Sequence, residues 1–544
     1  MRKGFQIACL LLFTWGIISA QQTDYTRKSI TFLDAIILAN PEARDMSLRQ
    51  IDYTRGVTKQ AVQLARFDYN PIPAGSGLLS KFTRKVNNRS TMSMDAIAET
   101  LNMTFVAEII AIIDENAEKR ASELVDEAAR MSFVATKAKD LGISAENLEK
   151  VFNSGYIYLP FINGFSENLE AKKEDKVVEY TSTVTISGGI LWFKIDYIDG
   201  RAHVRPLLQK ETSSTGFSNR HNAKEAEWLA FKAAADNYAN NLEVATKDIE
   251  DFKLKTQVLE VNGAKIGFNM GRKEGLHIDD RFILGETIQN ADGELTFKKD
   301  GFARVSSIGD NLVNPGAMSY AYGVLVGEWA PGMSLIEYPT LSLDLYFMVG
   351  QIPLSTDETY YTLESAIAIG GEITYNLSRI IEKSHWYLTA GGTLGSAELT
   401  DSYDSYLGGT ASVNFAVMRR VQMRRFDAYA KAGVAYFATT INEEWSDDLT
   451  YIYDNEALGA VLGGGLNMTL SIDLALGFRY SYYMGGSDVW TVTDDNDNSY
   501  DDRQMNTSYT GGSIMLQVIY TPKALGFNPM ALLGNLTDLT PTQD

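Results

Sequence analysis

From Leu341 onward, segments of about ten residues alternate apolar with small or polar side chains and are separated by turns, the pattern of strands that each carry one apolar face. Eight such segments can be read. The first sets Leu341, Leu343, Leu345, Phe347 and Val349 against Ser342, Asp344, Tyr346 and Met348, and the second sets Ile367, Ile369, Ile373 and Tyr375 against Glu364, Ala366, Glu372 and Thr374. The third has Trp386, Leu388 and Leu394 on its apolar side, and the fourth Leu407, Val413, Phe415 and Val417. The fifth places Phe426 to Tyr436 outward at every second residue, with Asp427, Tyr429 and Lys431 inward. A glycine-rich sixth runs near 457 to 470. The seventh alternates Ile472, Leu474, Leu476, Phe478, Tyr480 and Tyr482 with Asp473, Ala475, Gly477, Arg479 and Ser481, and the eighth sets Ile514, Leu516, Val518 and Tyr520 against Ser513, Met515 and Gln517.

A soluble sandwich also alternates. Two features point instead to a barrel in a membrane. The apolar faces carry Phe, Tyr or Trp near several strand ends, as an interfacial girdle would. The opposite faces carry Asp344, Glu372, Lys431 and Arg479, which a sandwich core rarely holds but a narrow barrel interior can hold as an ion-paired network. The gaps alternate as well: 439 to 456 and 485 to 508 are long and acidic, whereas Ser378 to His385, Arg419 to Arg425 and a turn near Ser471 are short. Long loops outside and short turns inside would put the arginines on the periplasmic side.

The N-terminal pattern differs. In Met94 to Val134, Ile97, Leu101, Phe105, Ile109, Ile112 and Ile113 recur at helical spacing, and Ser144 reads as a helix cap. Residues 21 to 176 are therefore expected to be mainly helical, with the Phe-, Tyr- and Ile-rich stretch 152 to 165 buried against the helices. Residues 177 to 253 read as strands Val177 to Ile186, Ile190 to Ile198 and Ala202 to Gln209, then a long helix from Ala223 to Phe252. Residues 254 to 337 read as a small β domain, with a turn at Asn262-Gly263.

Composition narrows the class. With 49 Lys+Arg against 69 Asp+Glu the formal charge is -20, and no basic stripe offers itself to nucleic acid. Arg2 and Lys3, an apolar run from 4 to 17 and the small Ala20 read as a signal peptide over residues 1 to 20. Its removal takes the charge to -22 and discards Cys9, the one cysteine, so disulfides and thiolate metal sites are excluded.

Two resemblances follow from these residues. Residues 341 to 522, in a barrel domain expected over 338 to 522, resemble the small eight-stranded outer-membrane barrels of the OmpA/OmpX type, and Gly512 to Tyr520 resembles the assembly signal that such barrels carry in their last strand. Val261 to Phe282, with Gly271 and Gly275 at expected positive-φ turns, resembles the small β-barrel modules of flagellar T-ring and curli-secretion-associated envelope proteins, over about 222 to 337. Thr521 to Asp544 remains as a polar tail.

No catalytic motif is found. His203, His221, His277 and His385 show no zinc-site spacing, Gly271 to Gly275 lacks the ending of a phosphate loop, and no nucleophile elbow occurs. Asp494, Asp495, Asp497, Asp501 and Asp502 suit a hard cation such as Ca²⁺ or Mg²⁺, although a solvated acidic loop is the simpler account of them and no cofactor is required. The expected fold is α+β multidomain: a periplasmic α/β module followed by an eight-stranded antiparallel transmembrane barrel. The expected function is non-enzymatic, a Gram-negative outer-membrane protein whose barrel sits in lipid and anchors a module for a periplasmic protein or peptidoglycan partner. The alternative is a small transporter, channel or barrel enzyme with an accessory domain.

Overall fold

Strands carry most of the described backbone in the computed structural model. It describes residues 28–72 except 34–35, isolated positions between 82 and 139, and residues 155–525 apart from short interruptions at 175–176, 199–200, 290–294, 325–328, 357–360, 402, 447–448, 486, 495–498 and 500–505. The first part is a sheet of β1 (Lys28–Leu33), β2 (Ile37–Leu38), β3 (Phe67–Ile72), β4 (Tyr156–Glu174), β5 (Val177–Ile198) and β6 (Arg201–Arg220), with β3-β1-β4-β5-β6 as its main order. Helix α1 (Leu48–Val62) is opened by a capping box between Ser47 and Gln50. Helix α2 (Ala223–Lys247) is opened by the Asn222 side chain, which accepts from the Glu225 amide. Within residues 21 to 176 the described strands β1 to β4 accompany helix α1, and the isolated positions described between 82 and 139 are helical. The helix expected over Met94 to Val134 lies outside the described residues save for isolated positions, and Ser144 lies outside them altogether.

Burial fixes the aromatic stretch as a strand. Tyr156 to Ile162 is buried in the sheet, and the hydroxyl of fully buried Tyr238 on α2 is placed to donate to the carbonyls of Phe161 (2.8 Å) and Gly189 (3.0 Å). Trp192, Phe67 and Tyr156 surround Phe252 with ring centroids at 4.7–4.8 Å, a T-shaped arrangement that suits aromatic quadrupoles. The expected break between Val177–Ile186 and Ile190–Ile198 is absent. Gly188 and Gly189 lie within one strand, where a Cβ would run into the Phe161 and Lys210 carbonyls of its neighbours. The helix from Ala223 ends at Lys247 rather than Phe252, and Ile249 and Phe252 reach the core from the turn beyond it.

Residues 254–337 form a separate unit, a closed six-stranded barrel. Its strands are β7 (Lys255–Asn262), β8 (Lys265–Phe268), β9 (Arg281–Gln289), β10 (Leu295–Ser307), β11 (Ser319–Gly323) and β12 (Ser334–Glu337), ordered β10-β11-β8-β7-β12-β9. Gly275 has the positive φ expected of it (73°), but Gly271 does not: its backbone is extended. Close approach decides that position, since a Cβ would run into the Gly309 carbonyl.

The C-terminal part is an antiparallel meander. Its strands are β13 (Leu343–Gln351), β15 (Thr362–Asn376), β16 (Trp386–Thr400), β17 (Ser405–Met423), β18 (Phe426–Ser446), β19 (Leu449–Thr469), β20 (Leu474–Gly485) and β24 (Gly511–Tyr520), and β24 pairs back with β13 to close an eight-stranded barrel. The short β14 (Ser355–Thr356), β21 (Ser487–Val489) and β23 (Asn506–Ser508) make a three-stranded sheet of their own, and β22 (Thr491–Asp494) pairs with β19. Outside, apolar side chains are exposed along every strand of the barrel, Leu458 at 72% and Ile514 at 66% among them.

Four details depart from the sequence reading. Leu341 and Leu343 are buried against Val244 of α2 instead of facing outward. A register shift between Ser365 and Ala368 turns Glu364 outward and Leu363 inward, because one extra residue inverts the alternation. Residues 439 to 456 are not a loop. They prolong β18 and β19, with Phe437, Ile441, Tyr451 and Tyr453 turned inward and Asp454 and Glu456 outward. Finally, Arg419 and Arg420 belong to β17, leaving only Arg424 (φ 55°) and Arg425 in the turn.

Candidate functional site in the barrel interior

Inward positions of three non-neighbouring strands meet at one carboxylate. Glu372 on β15 accepts from Lys431 on β18 at 2.8 Å and from both terminal nitrogens of Arg479 on β20 at 2.6 and 2.8 Å. The two-pronged guanidinium–carboxylate geometry is the strongest form such a pair takes. All three side chains are buried, so the desolvation cost is met only because neighbours complete the shell. Lys431 reaches Asn414 Oδ1 (3.4 Å), and Arg479 Nε donates to the Tyr429 hydroxyl (2.9 Å). Tyr429 in turn donates to Gln517 (3.3 Å), Gln517 to Asn467 (2.6 Å) and Asn467 to Asp427 (2.7 Å).

Asp344 does not join this group. It pairs with Arg420 at 2.8 Å and accepts from the Thr521 hydroxyl at 2.5 Å. Arg420 also donates to the Tyr346 hydroxyl and lies 4.1 Å from the Tyr387 ring centre. The sequence reading missed Arg420 as an interior residue because four arginines in seven positions look like one basic turn. The signal was available: extending the alternation of Ala416 and Met418, which face inward, places Arg420 inward too.

Beyond these ion pairs, toward the Thr362 end of β15 and the Ser446 end of β18, the interior becomes apolar. Phe437 stacks on Tyr509 at 4.6 Å and meets Tyr483 edge-on at 5.3 Å. Ile352, Leu363, Leu399, Ile441, Tyr453, Trp490 and Val492 complete that cluster. One part of the lumen is therefore crossed by charge pairs and the other is filled by aromatic and aliphatic side chains, as the width of an eight-stranded barrel permits.

The acidic cluster cannot be assembled in the same way. Asp494 ends β22 and is buried, while Asp495, Asp497, Asp501 and Asp502 lie outside the described residues. Among the described residues, no group of three or more His, Asp or Glu side chains is arranged to hold a metal ion.

The sheet with its two helices has its own ionisable cluster. Asp251 accepts from Lys194 (2.8 Å) and from the Tyr156 hydroxyl (3.0 Å). Burial pushes the Asp251 carboxyl up, but the bonds from Lys194 and Tyr156 outweigh it and hold the group below its ordinary value. Burial, and then the adjacent Asp251, push the Tyr156 hydroxyl well above its ordinary value.

No protein-family model and no curated protein sequence matches the chain. Among solved structures, the N-terminal β-barrel domain of Pseudomonas aeruginosa OprF is 14% identical with a TM-score of 0.20, covering 34% of this chain and 98% of that one. Neisserial surface protein A is 11% identical (TM-score 0.22; 34% and 99% covered), and the outer membrane protease OmpT from Escherichia coli is 8% identical (TM-score 0.21; 34% and 99% covered). The C-terminal third resembles small outer-membrane β-barrels. That likeness is one of closure, antiparallel order and an apolar exterior, all visible in this chain's own strands, and no activity is carried across by it.

Proposed function

We propose that this chain is a non-enzymatic outer-membrane protein whose barrel is an anchor rather than a pore, and whose sheet-and-helix part lies in the periplasm, where it engages an envelope protein or peptidoglycan. The observation that carries this is the filled interior, in which the Glu372–Lys431–Arg479 group and the Phe437–Tyr509 cluster occupy successive lengths of the lumen. The exterior supports the membrane setting. The eleven residues Leu474 to Met484 expose alternate apolar side chains, and at about 3.3 Å per residue and a tilt of about 40° they rise roughly 25 Å, the height of the apolar band of such barrels. Past the girdle residue Tyr436, the outward positions of β18 and β19 turn polar at Thr440, Asn442, Asp454 and Glu456, as strands leaving lipid for water require.

Single-channel recording of the full-length protein in planar bilayers tests the anchor. The expected trace lacks stable openings. Long-lived, large conductance steps would overturn it in favour of a transporter or channel.

A further inference from the structure

The chain leaves the barrel at Tyr520 and is held at almost every described residue that follows, as far as Leu525. The Thr521 hydroxyl donates to Asp344 (2.5 Å), and the Pro522 carbonyl accepts from the Leu341 amide (3.0 Å). Lys523 lies 2.9 Å from Asp248 and 4.4 Å from the Tyr338 ring centre. Leu525 is then gripped by its backbone. Its carbonyl accepts from the side-chain amides of Asn237 (3.0 Å) and Asn241 (2.8 Å), and its amide donates to Asn241 Oδ1 (3.3 Å). Its side chain joins Val244 of α2, Leu341 just before the first barrel strand, and Leu343 and Leu345 on that strand in one apolar cluster.

The two asparagines need an explanation. They stand one turn apart near the middle of α2, a helix otherwise rich in alanine, and both are almost fully buried. Asparagine is a poor residue for a helix interior, and a buried amide without partners is costly. Asn241 has a further partner in Thr212 (3.1 Å), but the group both amides share is the Leu525 peptide unit. Three hydrogen bonds to one residue's backbone fix its position whatever its side chain, while the apolar cluster selects leucine.

We infer that Thr521–Leu525 is a latch that docks α2 on the barrel only after the barrel has closed. Its anchor points lie on β13, through Asp344, and just before it, through Leu341. They come within reach of residue 521 only when β24 is paired between β13 and β20. Asn237 and Asn241 then capture what emerges. The last strand therefore reports its own completion to the soluble part. This inference rests on the contacts alone, and holds whether or not that part binds an envelope partner.

The test uses the full-length chain with Asp248→Cys and Lys523→Cys, which replaces the latch's ion pair by the reporter and leaves the asparagine clamp in place, and a short bifunctional maleimide. Barrel closure is followed in the same samples by the band shift between heated and unheated gels. Crosslinking is expected to be low in buffer without micelles and to rise together with the closed-barrel band once micelles are added. Adding Asn237→Ala and Asn241→Ala should lower the yield about tenfold or more with the closed-barrel band unchanged, because the clamp's hydrogen bonds are lost. Leu525→Asp, a second variant that leaves α2 intact, should do the same. Equal crosslinking before and after closure, or a yield unmoved by both sets of variants in closed barrels, would overturn the latch.

Discussion

Trp192 in β5 and Phe478 in β20 are both large aromatic side chains on alternating strands, yet Trp192 is fully buried and Phe478 is 47% exposed. In the sheet of β1 to β6 the apolar face turns in, toward α1 and α2, and hydroxyl groups face out, as in the paired Thr185–Thr215 and Ser187–Ser213. In the barrel the same alternation is inverted, with Glu372, Lys431 and Arg479 inside and leucine, valine and tyrosine outside. Strand periodicity is thus common to both parts. What differs is the solvent that each face is built for, and a substitution has opposite consequences in the two settings.

The sharpest way to break the comparison is to empty the charged interior. Glu372→Ala leaves two cations buried without their carboxylate, and the closed barrel should lose about 3–5 kcal/mol, read from the urea midpoint at which the gel band shift disappears. Replacing all three ionic residues together with methionine or leucine should restore most of that loss, since filling with apolar volume removes the desolvation problem. A triple variant as unstable as the single one would mean that the charges do more than fill space.

A smaller effect separates lipid from water. Phe478→Arg should cost about 2–4 kcal/mol in bilayers, whereas Ser213→Arg, on an exposed position of β6, should stay within about 0.5 kcal/mol. Equal, small costs at both positions would place the barrel exterior in water.

The smallest expected effect lies in the sheet part and depends on pH. The Asp251 carboxyl is depressed in the folded chain, so its contribution is present above the ordinary carboxylate range and is lost as pH falls through the depressed folded value. Its partial exposure limits the effect to below about 1 kcal/mol. Asp251→Asn should flatten the acid limb of a thermal-melt series by that amount and leave the neutral region nearly parallel.

The barrel was legible because its exterior is monotonous: one apolar residue at every second position marks a strand without any knowledge of its partners. Its upper extensions were hidden by the same habit. In 439 to 456 the alternation continues, but the apolar residues change sides, from Tyr436 outward to Ile441, Tyr451 and Tyr453 inward, so acidic outward residues read as a loop. Of the interior group, the inward phase was enough to name Glu372, Lys431 and Arg479, while which carboxylate meets which cation depends on barrel diameter and stagger. Asp344 shows this, since it pairs with Arg420 instead. In the sheet part β5 and β6 are legible as strands, whereas β4 falls in the region that reads as helical because Tyr156 to Ile162 is continuously buried and lacks alternation, which periodicity alone cannot tell from a buried helix.

The hydrogen bond between the Leu341 amide and the Pro522 carbonyl has a topological corollary. The points at which the backbone enters and leaves the barrel are adjacent, and the residues beside them, Leu341 and Leu525, both reach α2. In the folded protein the barrel is therefore less a terminal appendage than a 180-residue excursion, a loop that departs from one spot and returns to it. A permuted barrel, begun at one of its turns and joined from Pro522 to Leu341, would keep every strand neighbour it has now.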